Sequence, residues 1–228
     1  MRNPARPSER EVAEHNISHF PFRDWCPHCI RGRGLNQQHR QGKKCAENRD
    51  IPVIGMDYGF LVKKKGEYGH EEDVEGQKND GRKIEPMLVM KDSKYGGMKS
   101  FLVPSKGISE PWVVKKCIQW IDFVGANRIV LKVDQEKSIV ALAKEVKIAR
   151  GQGAETAIEH PEAGESQSHG MTERAVGVAE GLVRTYLHAL EARIGGSIDS
   201  RFAVFRWLVE HAHNVHLVQG GEGWPHSI

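Results

Sequence analysis

The chain has 228 residues, 39% of them hydrophobic and 28% charged, with 33 Lys and Arg against 30 Asp and Glu for a formal net charge of +3. That length holds one ordinary core plus a small satellite unit, the composition is globular, and a charge so near neutral is no argument for nucleic acid by itself. There is no run of about 18 apolar residues and no apolar stretch behind the basic start MRNPARPSEREVAEH, which argues against a membrane-spanning helix and a secretory signal.

Before Ile51 the sequence is rich in Arg, His, Gln and Pro and has little apolar periodicity, so it needs a staple to fold. Four cysteines in a chain without a secretory signal point to a reducing, intracellular setting, where close pairs bind metal more often than they form disulfides. His15-x3-His19-x6-Cys26-x2-Cys29 supplies the four borderline-soft ligands that zinc takes tetrahedrally. The Cys26-x2-Cys29 turn offers two thiolates to one ion, and His15 and His19 lie four apart, on one face of a helix. A structural Zn²⁺ there would fold a segment too polar to fold alone. His28, His39 or Cys45 could complete the site instead, or no metal binds. Trp25, Phe20 and Phe22 are expected to pack around it. Arg31, Arg33, Arg40, Lys43, Lys44 and Arg49 make a basic run suited to phosphates and equally to a solvated linker, while Glu71, Glu72, Asp73 and Glu75 make a separate acidic patch. Cys45 has no evident role. The domain boundary falls near Asp50, with 1–50 as zinc-binding segment and basic linker and 51–228 as the main domain.

From Ile51 strand-like and helix-like segments alternate. IPVIGMDYGFLV (51–62) reads as a buried strand, and the polar, Gly-rich stretch 63–85 as an exposed insertion. PMLVMKD (86–92) and KSFLVP (99–104) are two more strands joined by SKYGGM, an antiparallel meander. EPWVVKKCIQWIDFVG (110–125) is an amphipathic helix with Cys117 on its core side and Gly125 as its stop. RIVLKVD (128–134) is a strand ending on an acid, EKSIVALAKEVKIARG a helix and ETAIEH (155–160) a fifth strand. The loop PEAGESQSHG then leads to a long helix over 171–195 and a last one over 200–218. That order, α/β with three strands, helix, strand, helix, strand and two helices, is that of the ribonuclease-H-like fold, a mixed five-stranded sheet flanked by helices. No GxGxxG, Walker-type loop, GxSxG or HExxH occurs.

Three acids stand out on these elements. Two-metal phosphodiester chemistry needs cations about 3.5 to 4 Å apart, held by hard carboxylate oxygens. Asp57 lies inside the first apolar strand, where an unpaired carboxylate is costly to bury. Asp134 ends the fourth strand, which in this fold lies beside the first. Glu173 stands in the expected first turn of the long helix, with Glu165, Glu162 and Glu136 as rivals for the third place. Singly, each acid is more often structural: a hydrogen-bonded strand residue, an N-cap, or a first-turn Glu that favours the helix dipole. Three of them at these places in this order reverse that balance.

GMDYGF around Asp57, VLKVDQE around Asp134 and ESQSHGMTERAVGVAEGLVRT around Glu173 resemble the D, D, E core of retroviral and retrotransposon integrases, and FRWLVEHAHNVH resembles the helix that closes such cores. The resemblance runs from roughly His15 to Trp224, and the His and Cys cluster looks like a shortened form of the family's N-terminal HHCC motif. It implies a DNA strand-transfer enzyme, a polynucleotidyl transferase with endonuclease activity: 3′-end processing, then integration of retroelement DNA. Asp57, Asp134 and Glu173 would hold Mg²⁺ or Mn²⁺, and His15, His19, Cys26 and Cys29 would hold zinc. It further implies element ends and target DNA as partners, a homo-oligomer, no membrane, and a nuclear place in a eukaryote.

His213 and Asn214 on the last helix could touch DNA, though core packing fits them better. The Asp134 to Glu173 spacer is longer than the family's usual one. The end at GWPHSI comes without a basic DNA-binding domain, as in a fragment or a decayed copy of a transposable element. Two rivals follow: a decayed integrase-like module that binds DNA or protein, and a ribonuclease-H-type nuclease, which usually has a fourth carboxylate and no HHCC arm.

Overall fold

The computed structural model describes residues 7–33, 51–61, 78–79, 82–83, 85–160 and 166–220. Ser8-x2-Glu11 opens the first helix, α1 (Glu9–Ser18). Ser8 Oγ accepts from the Glu11 N–H at 3.3 Å and Glu11 Oε2 accepts from the Ser8 N–H at 2.8 Å, satisfying two donors that a helix start leaves open. α2 (Pro27–Arg33) begins on a proline, whose missing N–H is one the first turn does not use.

The main body runs β1 (Val53–Phe60), β2 (Lys78–Asn79), β3 (Arg82–Lys83), β4 (Pro86–Asp92), β5 (Met98–Leu102), α3 (Pro111–Val124), β6 (Arg128–Val133), α4 (Lys137–Arg150), β7 (Glu155–Glu159), α5 (Ser166–Ile194) and α6 (Ala203–Gly220). Within the stretch expected to be an exposed insertion, β2 and β3 pair as a small antiparallel hairpin of their own. Asp80-Gly81, which separates them in sequence, is the dipeptide that two-residue hairpin turns prefer, a signal the polarity of the stretch outweighed.

The five longer strands form one sheet in the order β5-β4-β1-β6-β7. β4 is antiparallel to both β1 and β5, which is the expected meander, whereas β1 and β6 run parallel, as do β6 and β7. This is the mixed sheet of the ribonuclease-H-like fold, with the first strand beside the fourth of the five, β6. Alternation along the strands sorts the side chains between two cores. Ile54, Met56 and Tyr58 of β1 and Ile129, Leu131 and Val133 of β6 pack with Val113, Cys117, Trp120 and Ile121 of α3 and Ile139 and Leu142 of α4. On the opposite face Met87 and Val89 of β4 meet Ala179, Leu182 and Val183 of α5 and Leu208 and Val209 of α6. Each fully buried Leu or Ile contributes about 1.5–3 kcal/mol relative to exposure. Burial pushes the Cys117 thiol up to about 12, as befits a core residue. No helix of the described residues is long and apolar enough to cross a membrane.

α5 begins at Ser166 rather than Met171. Gly170, which separates the two, costs a helix only about 1 kcal/mol relative to Ala, and nothing lies within 4 Å of where its Cβ would be. Glu173 therefore sits about two turns inside the helix, not in its first turn.

Candidate active site and metal centre

The register of β1 on β6 positions the first two acids. Val53 pairs with Val130 and Met56 with Val133, so the next residue along each chain, Asp57 inside β1 and Asp134 just past the end of β6, comes level where the pairing of the two parallel strands stops. Met56 and Val133 face α3 and α4, so strand alternation turns Asp57 to the opposite face, the one α5 covers. Asp57 is half-buried and its Oδ1 accepts from the Tyr58 N–H at 2.7 Å; Asp134 is exposed and its Oδ1 accepts from the Gln135 N–H at 2.6 Å.

Two glycines that share a face with Asp57 let α5 rest directly on β1. A Cβ at Gly55 would fall 2.3 Å from Thr172 Oγ1 and 3.0 Å from Met171 Cε. One at Gly59 would fall 2.7 Å from Val176 Cγ1 and 3.0 Å from Glu180 Oε1. Asp57 is the residue between these two contacts, and Glu173, exposed, directly follows Thr172. Asp57 thus lies on the face that α5 covers and Asp134 just past the end of the neighbouring strand, but the carboxylates of Asp57, Asp134 and Glu173 form no close grouping of ligand atoms among the described residues. Glu136 is engaged elsewhere: its Oε2 accepts from Lys106 Nζ at 3.1 Å, and its other oxygen accepts from Ser138 Oγ. The Lys106 ammonium also lies over the rings of Tyr58 and Phe60, at 5.6 and 5.3 Å. Glu162 and Glu165 lie outside the described residues.

His15, His19, Cys26 and Cys29 do converge. Their four ligand atoms all lie within 4.8 Å of one another, and all four residues are buried. Cys29 Sγ stands 3.3 Å from His15 Nε2 and Cys26 Sγ 3.5 Å from His19 Nδ1. Zinc bonds of about 2.3 Å to sulfur and 2.0–2.1 Å to nitrogen, opened to a tetrahedral angle, place such S···N pairs about 3.6 Å apart, so the residues fit the ion. Burial, reinforced for His15 by Arg23 and for His19 by His28 and His15, lowers both imidazole pKa values, that of His19 to about 4. That favours the neutral form a metal takes. His15 Nδ1 is buried with no hydrogen-bond partner among the described residues, beside the Trp25 ring, whose centroid lies 4.9 Å from that of His15.

The two histidines do not share a helical face. His15 is in α1, but His19 is its left-handed C-cap, at φ 50°, whose N–H donates to the His15 carbonyl at 2.7 Å. The reversal turns the second ring back over the first, centroids 5.3 Å apart and nearly perpendicular. Trp25 packs on the cluster as expected, whereas Phe22 is exposed. Of the other candidates, His28 stands next to the cluster but bonds across to α5: His188 Nε2 accepts from Arg31, which leaves the His188 Nδ1 proton directed to His28 Nδ1, 2.6 Å away. His39, Cys45, the basic run beyond Arg33 and the acidic patch lie outside the described residues, as does the side chain of His213; Asn214 is exposed.

No protein-family model matches the chain, and no curated protein matches it. Among solved structures the fold is similar to the catalytic core domain of BIV integrase, at a TM-score of 0.39 and 15% identity over 73% of this chain and 80% of that one. It is also similar to a chain of the simian T-cell lymphotropic virus intasome in complex with PP2A regulatory subunit B56 gamma, at a TM-score of 0.46 and 16% identity over 86% of this chain and 59% of that one.

Proposed function

We propose that this chain is an integrase-type enzyme, a metal-dependent DNA strand transferase whose catalytic acids are Asp57, Asp134 and Glu173. Residues 51–228 form the catalytic core and residues 1–50 the zinc-binding segment and basic linker. The observation that carries the reading is the parallel register that sets Asp57, inside β1, level with Asp134 at the end of the neighbouring β6, with the helix that bears Glu173 packed on β1 to either side of Asp57. Carboxylate oxygens are the donors that Mg²⁺ and Mn²⁺ take. Those cations supply charge neutralisation at the phosphodiester and activate the attacking oxygen. The chain's own part is to place three carboxylates on a rigid strand pair and a helix, so that catalysis rests on positioning. Water displaces at phosphorus near a DNA end, forming one P–O bond as another breaks; the freed 3′ hydroxyl then does the same on target DNA. DNA ends and target DNA are the substrates, and a homo-oligomer would hold paired ends.

One observation favours a second reading, a binding module that keeps the fold without the chemistry: the three carboxylates do not group closely among the described residues. A strand-joining assay on labelled duplex DNA with Mg²⁺ or Mn²⁺ separates the two. The enzyme reading expects joining by the parent and none by Asp57→Asn or Glu173→Gln, both still folded. Silence from a folded, zinc-loaded parent would leave the binding module, and a Glu173→Gln variant as active as the parent would remove Glu173 from the site.

A further inference from the structure

The zinc segment is seated on the main body through one stretch of α5. A Cβ at buried Gly32 would fall 2.0 Å from Thr185 Oγ1 and 2.8 Å from the Gly181 carbonyl, so α2 and α5 cross almost backbone to backbone. Arg184 Nε donates to the Gly32 carbonyl at 3.2 Å, Tyr186 Oη donates to the Ser18 carbonyl at 2.6 Å, and His188 bonds both Arg31 and His28. Arg184 is oriented in turn by Glu180, at 3.4 Å and equally buried. These partners all fall between Glu180 and His188, and α5 presses on β1 through Gly55 and Gly59 from Met171 to Glu180.

Little besides metal and α5 can order the segment. Helices as short as α1 and α2 are marginal alone, α1 buries only His15 and Ser18, and Ile17 and Ile30 are 83% and 46% exposed. Both anchor points on α5 are set by ligands: Ser18 directly precedes His19, and Gly32 lies one helical turn beyond Cys29. We infer that zinc held by His15, His19, Cys26 and Cys29 seats α2 on α5, so that metal occupancy governs the order of the helix that carries Glu173. This rests on the zinc reading of the cluster. Coupling of this kind is reciprocal, so the seat must in turn tighten zinc binding.

The test is made on the full chain. Bound zinc is first measured by colorimetric release; amide hydrogen exchange is then followed with and without a chelator. Chelation should speed exchange at Gly181–His188 on the order of tenfold or more, as expected for loss of a docking contact. Two variants at residues that are not ligands probe the reverse direction: Gly32→Val blocks the crossing, and Tyr186→Phe removes the hydroxyl that donates to the Ser18 carbonyl while keeping the ring. Both should still bind zinc but give it up to a competing chelator at lower concentration than the parent. A zinc-loaded parent whose α5 exchange ignores chelation would overturn the inference, and so would a Tyr186→Phe variant and a folded Gly32→Val variant that both hold zinc as tightly as the parent. A parent that binds no zinc would overturn the zinc reading itself.

Discussion

Replacing Gly55 by alanine tests the contact that sets the height of α5 above β1. The added Cβ would sit 2.3 Å from Thr172 Oγ1 and 3.0 Å from Met171 Cε. The methionine end can swing away, but Thr172 is buried, β-branched and restricted at χ1 by its helix, so the strain falls on the backbone of α5. Overpacking of this kind costs about 1–3 kcal/mol, offset by the roughly 0.5–1 kcal/mol by which alanine outdoes glycine in a strand. Taking the middle of each range, the net loss is about 1.25 kcal/mol (about 2 less about 0.75), a fall in Tm of roughly 2–5 °C for a chain of this size. Urea unfolding measures it, with Gly153→Ala as the control: nothing lies within 4 Å of that Cβ position, and the change should stay within about 0.5 kcal/mol. Thr172→Ala in the same chain removes the colliding oxygen, so the double variant should be less destabilised than the two single losses added, by about 1 kcal/mol. A Gly55→Ala protein as stable as the parent, or strict additivity with Thr172→Ala, would mean that α5 does not rest on β1 at this point.

Two further outcomes follow from the same packing. Glu180→Leu leaves the Arg184 guanidinium buried without its carboxylate and should cost about 3–5 kcal/mol by urea unfolding, most of it recovered when Arg184→Met is added. Burial raises the Tyr58 phenol from 10.0 to about 12, against a smaller opposing effect of the Gly107 N–H that it accepts. Its folded pKa therefore lies above the unfolded one, and the stability involved is complete below pH 10 and lost as pH rises towards about 12. The parent's advantage over Tyr58→Phe should narrow across that window; a constant difference would contradict the burial argument.

Sequence patterning carried the sheet because its signals are local. Short, largely continuous apolar runs mark β1, β4, β5 and β6, and the register of β1 on β6 sets Asp57 level with Asp134. The His and Cys cluster was legible for a different reason: ligand chemistry restricts His15, His19, Cys26 and Cys29 to few uses, whatever backbone links them. Its backbone was less legible, since the i, i+4 spacing of the histidines suggested one helical face and His19 instead caps the helix in the left-handed region. The start of α5 was hidden by Gly170, which reads as a breaker and is tolerated. Least visible was the seat of α2, because Gly32 in RGRG has the look of linker and its partners at Gly181 and Thr185 carry no signal until two helices are known to cross there.

That seat joins segments far apart in the chain: Gly32 bonds a residue 152 positions away, and Ser18 one 168 positions away. During synthesis α1 and α2 leave the ribosome well before α5 and have nowhere to dock until it emerges, and contacts of such long sequence separation form slowly. A metal that closes a local loop at once would hold the early segment in shape through that interval. Expressing the main domain alone from Ile51 would, by the same geometry, leave bare the stretch of α5 where a glycine backbone and a buried ion pair have lost their cover, and poor solubility of that fragment should be traced there before the sheet is blamed.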